Sequence, residues 1–82
     1  MPTVLRVGGL RVVVYPNDHR PPHVDVVGGG CEASFRLDCP AGPVRLRENY
    51  GFSPNQIAAV AADLQRQIGK LCSEWERIHG VA

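Results

Sequence analysis

A chain of 82 residues makes one small domain, covering residues 1–82, which is too short to enclose a large substrate cavity. Its formal net charge of +1 excludes a strong overall attraction to nucleic acid or to a membrane surface. Among the nine basic residues only Lys70 is a lysine, and arginine suits planar recognition of phosphate or carboxylate better than lysine does. With no secretory leader and no apolar run near the ~20 residues of a membrane span, we expect a soluble cytoplasmic protein.

The first hairpin is predicted at a Gly8-Gly9 turn, because two glycines supply the positive φ angles of a two-residue loop. This turn pairs Val7 with Leu10 and Arg6 with Arg11. The apolar side chains of both strands then share one face, and the two arginines lie on the other.

A second hairpin is predicted to turn at Gly29-Gly30. This register sets Val24 opposite Phe35 and keeps the apolar positions together, whereas a one-residue slip would mix the two faces. It also sets His23 directly across from Arg36, on the face away from the core.

The three cysteines, Cys31, Cys39 and Cys72, lack the close spacing of a metal site. Their odd number argues against a disulfide framework. We therefore expect reduced, mostly packed thiols, as is usual for a protein of the cytosol.

A short last strand is predicted over residues 44–47, with Arg45 and Arg47 pointing away from the core. One long helix follows over about residues 54–79. Ser53 is a suitable N-cap, and Gln56 completes a capping box. At ~1.5 Å per residue this helix is roughly 39 Å long.

Such a helix overhangs a small sheet, whose five-residue strands span only ~17 Å. Its far end, with Leu71, Trp75 and Ile78, is expected to contact a partner or a second copy, unless the sheet is wide or the helix shorter. The predicted fold is α+β: a four- to five-stranded antiparallel meander with one long C-terminal helix packed on one face.

The sheet face away from this helix is predicted to be rich in arginine. The residues assigned to it are Arg6, Arg11, Tyr15, His23, Asp25, Glu32, Ser34, Arg36, Arg45 and Arg47. Five arginines against two acids make this surface locally positive. The alternative is an ordinary solvated face whose arginines pair with Asp25 and Glu32.

One functional hypothesis is a small ribonuclease on this face. Glu32 is the candidate base, His23 the candidate acid, and Arg36 and Arg45 the candidate phosphate ligands. A second hypothesis is a divalent metal held by His19, His23 and Asp25, since two histidines and one carboxylate form a known ligand set. A hydrogen-bonded loop without a metal or other cofactor is the interpretation we favour over this site.

A third hypothesis is non-catalytic and makes the polar loop and the overhanging helix into binding surfaces. Two prolines, Pro21 and Pro22, stiffen the loop that precedes the second hairpin. The candidate binding residues are Asp18, His19, Arg20, Arg6, Arg11, Arg47 and Trp75.

Several motifs together resemble one family of small bacterial proteins. They are residues 1–6 (M-P-T-V-L-R), the Gly8-Gly9 turn, residues 17–24 (N-D-H-R-P-P-H-V) and residues 48–53 (E-N-Y-G-F-S). The chain resembles the domain of unknown function four-one-six-zero along nearly its whole length. Members usually read H-V-H-V where this chain has Asp25, so this departure counts against a three-histidine metal site here and only permits a mixed histidine and aspartate one.

The resemblance also implies a gene pair of toxin–antitoxin type, because family genes often lie beside a second small gene. We therefore expect a cytoplasmic interaction module that contacts a small protein partner or forms a homodimer through its helix, with RNA as a further target. The ribonuclease and the metal-binding protein are the alternatives.

Overall fold

The computed structural model describes residues 3–15 and 21–79, which form a five-stranded antiparallel sheet and two helices. The strands follow one another in the order β1-β2-β3-β4-β5. The elements are β1 (Thr3–Val7), β2 (Leu10–Val13), β3 (His23–Gly28), β4 (Cys31–Arg36), β5 (Arg45–Tyr50), α1 (Pro54–Arg66) and α2 (Ile68–His79). The predicted α+β meander is confirmed, with two helices in place of one.

Both predicted hairpin registers are confirmed. Arg6 lies opposite Arg11 across the first turn, and His23 lies opposite Arg36 beyond the second. All four turn glycines have positive φ, from 51° at Gly8 to 81° at Gly9, which is the backbone conformation that two-residue hairpin loops require.

The hydrophobic core lies between one face of the sheet and the two helices; we call this the helix-covered face. Fully buried strand residues such as Val26 and Phe35 pack in one cluster with Leu64 of α1 and Leu71 of α2. The opposite side of the sheet is the second face. Part of its middle is also shielded from solvent, since Val13 is 1% exposed and Ser34 7% exposed, whereas Asp25 between them is partly exposed.

The last strand is longer than predicted and carries an irregularity. Ser34 pairs with Glu48 and Phe35 with Leu46, so Arg47 is an extra residue in β5. An inserted residue of this kind is a β-bulge, which interrupts the alternation of side chains. Leu46 is 46% exposed, although it pairs with the fully buried Phe35.

The structure divides the predicted long C-terminal helix into two helices. Gln67 leaves helical geometry at φ −108° and ψ 18°, and α2 begins at the next residue. An unbroken helix of ~39 Å would exceed the longest extent of the described residues, which is 35 Å. The break lets Leu71 and Trp75 bury completely against the same chain, so the expected overhang is absent.

The expectation of three thiols was also wrong, because Cys39 and Cys72 form a disulfide with their Cα atoms 5.8 Å apart. The turn after β4 brings Cys39 against α2, which no local spacing in the sequence reveals. Cys31 is the free cysteine within the described residues. No helix in residues 3–15 and 21–79 is long and apolar enough to cross a membrane.

Candidate functional site

Two arginines meet one carboxylate at the end of β4. Arg36 and Arg45 are directly opposed across the strands, and like charges in such positions repel. Asp38 relieves the repulsion: its two oxygens accept from Arg36 Nε at 2.8 Å and from Arg45 Nε at 2.9 Å. Asp38 was not among the acids considered as partners of the arginines, which were Asp25 and Glu32, although its position two residues after Arg36 was an available indication.

The turn that carries Asp38 is fastened to α1 through Gln65. The Val44 amide donates to Gln65 Oε1 at 2.9 Å, and Gln65 Nε2 donates to the Ala41 carbonyl at 3.0 Å. Gly42 has a φ of 84°, a conformation that favours glycine, and a Cβ there would lie 2.6 Å from Gln65 Oε1 and displace that side chain. With the adjacent disulfide, these contacts fix the turn. The Gln65 contacts join residues more than 20 positions apart in the sequence, so no local motif predicts them.

His23 was expected on an open surface among arginines, and the structure corrects this expectation. Its side chain is 8% exposed, and its ring lies 5.2 Å from the Trp75 ring. Nδ1 lies 2.9 Å from the Pro21 carbonyl, and since a carbonyl only accepts, Nδ1 carries the proton. Trp75 is itself fully buried and stacks on His79 at 3.7 Å, so it offers no binding surface.

The four predicted catalytic residues are not brought together. His23 is level with Arg36 and Arg45, but Glu32 lies four residues away along β4, which is about 13 Å at ~3.3 Å per residue. A base and an acid acting on one phosphate each have to lie within hydrogen-bond reach of the reacting group. A buried histidine and a distant glutamate do not provide that arrangement.

Glu32 belongs instead to an acidic group at the other margin of the second face. It lies opposite Tyr50, whose hydroxyl donates to Glu48 Oε2 at 2.6 Å. This hydrogen bond, with the negative charge of Glu48, raises the pKa of Tyr50 above its ordinary value. Tyr50 is 63% exposed, so this hydrogen bond lies at the surface of the protein.

The bulge therefore changes the charge of the second face. Arg47 leaves the regular alternation, and Glu48 takes a position opposite Ser34. The charged residues of the face within the described ranges are Arg6, Arg11, Asp25, Glu32, Arg36, Arg45 and Glu48. Charges of both signs are present, so the face is less positive than alternation predicted.

Arg6 and Arg11 form the second pair of opposed arginines, and here no acid intervenes. Both are exposed and face each other across β1 and β2. Neither makes an ion pair or a side-chain hydrogen bond within residues 3–15 and 21–79. We call these two residues the arginine pair.

Asp18, His19 and Arg20 lie outside the described residues, so the predicted metal set with His23 and Asp25 stays a prediction. Within the described ranges, no three histidine, cysteine, aspartate or glutamate side chains gather as metal ligands. A cleft of ≈ 220 Å³ lies beside the first hairpin turn, lined by residues that include Val7, Leu10 and Val60. It is smaller than the ~300 Å³ at which small-molecule pockets usually begin.

The comparison with protein families gives one match. The model of a family described as Domain of unknown function (DUF4160) matches residues 9–76. That span covers most of the chain, and the protein therefore belongs to this family, as its motifs indicated. No curated protein and no solved structure matches the chain.

Proposed function

We propose that this member of the DUF4160 family is a cytoplasmic interaction module of toxin–antitoxin type, which binds an acidic surface of a small protein partner through its arginine pair. The supporting observation is the direct opposition of Arg6 and Arg11 without a compensating carboxylate in the described part of the chain. Opposed like charges on a sheet destabilise it. A carboxylate supplied by a partner removes that repulsion, and arginine binds carboxylates with two parallel hydrogen bonds.

The contrast with the other arginines supports this choice of surface. Arg36 and Arg45 share Asp38, and each of Arg66 and Arg77 pairs with an acid on its own helix. Their charges are already matched within the fold. No acid within the described residues neutralises the charges of the arginine pair. An acidic side chain of a partner therefore gains more binding free energy at this pair than at the arginines that already have an acid.

A protein partner is favoured over RNA by the number and kind of exposed groups. Affinity for nucleic acid rises with the number of phosphates that lysine and arginine neutralise, and single strands are held by successive aromatic platforms. The second face mixes both charge signs, and Tyr50 is an exposed aromatic residue surrounded by acids. This pattern suits one complementary protein surface better than a polyanion.

The test is a calorimetric binding titration against the product of the neighbouring small gene. Arg11→Glu is expected to weaken binding about tenfold or more, because it places a negative charge against an acidic partner. Arg66→Glu makes the same change in net charge on α1 and is the matched control, which is expected to leave binding unchanged. The absence of a complex, or equal effects of the two variants, contradicts the proposal.

A parallel assay with labelled single-stranded RNA tests the other hypotheses. Cleavage by the wild type, with or without chelator, that is lost in His23→Ala and Glu32→Ala would favour the ribonuclease. Salt-sensitive binding of RNA without cleavage, lost in Arg11→Glu, would favour RNA as the partner. We expect neither result.

The cytoplasmic location has its own test. Thiol pools in that compartment keep most cysteines reduced, so in a cytoplasmic protein rapid alkylation of cells is expected to trap part of the Cys39 and Cys72 population as thiols, even though the two form a disulfide in the structure. A fully oxidised pair in the cell contradicts this location.

A further inference from the structure

The outer side of β5 is an edge of the sheet that no strand of the described residues covers. β5 is last in the strand order, and all six of its residues are exposed. Its two largest apolar side chains, Leu46 and Tyr50, are 46% and 63% exposed. An edge strand presents a row of unpaired N–H and C=O groups to which another strand can bond.

The bulge decides which side chains of β5 lie on which face. Leu46 and Asn49 pair with helix-covered residues of β4, whereas Arg45, Glu48 and Tyr50 pair with residues of the second face. In an unbroken strand of six residues, the first and the last would point to opposite faces. In β5 the inserted residue puts both ends on the same face.

This property makes β5 complementary to a second copy of itself. Around a two-fold axis between residues 47 and 48, an antiparallel pair sets Arg45 opposite Tyr50 of the other copy, and Leu46 opposite Asn49. Each of these pairs joins residues of the same face, as a continuous sheet requires. The central pair is then Arg47 opposite Glu48, formed twice by the symmetry.

Charge selects the same register. A shift by one position sets either Arg47 against Arg47 or Glu48 against Glu48, and each shift also sets Leu46 against a residue of the opposite face. Opposite charges directly across strands stabilise a sheet, and like charges destabilise it. Arg47 makes no ion pair or hydrogen bond within residues 3–15 and 21–79, so its guanidinium is available to Glu48 of a second copy.

We propose that two copies of this chain associate through β5, forming a continuous ten-stranded sheet with the helices of both copies on one face. The contact goes beyond the proposed function, because β5 and the β1 strand that carries Arg6 lie at opposite edges of the sheet. The dimer therefore leaves both arginine pairs accessible.

The test is sedimentation equilibrium over a range of concentrations. The wild type is expected to reach twice the chain mass of 8.9 kDa. Arg47→Glu and Glu48→Arg are each expected to raise the dissociation constant about tenfold or more, since two opposite-charge pairs become like-charge pairs. The double variant R47E/E48R restores the opposite charges and is expected to dimerise like the wild type.

The controls separate this contact from the proposed function and from misfolding. Arg47→Glu removes no contact within the described fold, so its far-UV circular dichroism and melting curve are expected to match those of the wild type. Arg6→Glu, on the other edge of the sheet, is expected to abolish binding of the protein partner and leave the dimer intact. Arg47→Glu is expected to weaken the dimer and leave binding of the partner intact. A monomer at every concentration, or a dimer that survives both single reversals, overturns the β5 contact without touching the partner proposal.

Discussion

Loss of the disulfide is expected to destabilise the protein strongly. Cys39→Ser removes the bond at an exposed position and leaves Cys72 in its packed site, so the substitution creates no core cavity. The bond closes a loop with a sequence separation of 33, for which the loss of chain entropy in the unfolded state corresponds to about 3.7 kcal/mol at 25 °C. With an unfolding entropy of ~2.1 cal/mol/K for each of the 82 residues, the melting temperature is expected to fall by roughly 20 °C.

The assay is urea and thermal unfolding followed by circular dichroism. Oxidised wild type is compared with reduced wild type, with Cys39→Ser and with Cys31→Ser, which removes the unpaired thiol. Reduced wild type and Cys39→Ser are expected to agree with each other, and Cys31→Ser to unfold near the oxidised wild type. A loss below about 1 kcal/mol in Cys39→Ser, or an equal loss in Cys31→Ser, refutes the reasoning.

Three further predictions concern single contacts. Trp75→Ala is expected to lower the free energy of unfolding by about 3–5 kcal/mol. Trp75→Phe is expected to lower it by less, because the buried indole N–H has no acceptor within the described residues and its removal loses no hydrogen bond there. Urea unfolding measures the change in both variants. Ser53→Ala removes the capping-box oxygen and is expected to cost about 1 kcal/mol in the same assay, so no measurable change would contradict the cap. Absorbance titration is expected to show Tyr50 ionising above the ordinary pKa of 10.0, and Glu48→Gln to lower that midpoint. Because the Glu48 contact favours the protonated phenol, its stabilising effect is present below pH 10 and disappears as pH rises through the raised pKa.

The hairpins were predictable because their information is local. Gly8-Gly9 and Gly29-Gly30 fix the turns, and the alternation of apolar residues fixes which strand positions face each other. The capping box at Ser53 likewise depends on residues that are close together in the sequence, and the structure contains both of its hydrogen bonds.

The errors arose where contacts join distant parts of the chain. The break at Gln67 lies two residues before Gly69, a residue of low helix propensity, but the apolar spacing runs on through it without interruption and so indicated one helix. The disulfide and the Gln65 contacts depend on the path of the turn that follows β4. Contacts between such distant residues produce no periodic pattern in the sequence from which they could be predicted.

The candidate site was misjudged for a related reason. Register correctly set His23 across from Arg36, but register does not reveal that Trp75 of a distant helix covers the histidine ring. The bulge at Arg47 then changed which charges share the second face. The opposition of Arg6 and Arg11 was predicted correctly, and only the structure showed that Arg36 and Arg45 share an acid while this pair does not.

The most direct test of the proposed function is the ratio of two dissociation constants for the product of the neighbouring gene, one measured with Arg11→Glu and the other with Arg66→Glu. Both variants change the net charge equally, so the ratio isolates the position of the charge. We predict a ratio of about ten or more that shrinks at high salt, as electrostatic contacts do. A ratio near one, or no binding by the wild type, contradicts the assignment of the arginine pair as the partner-binding surface.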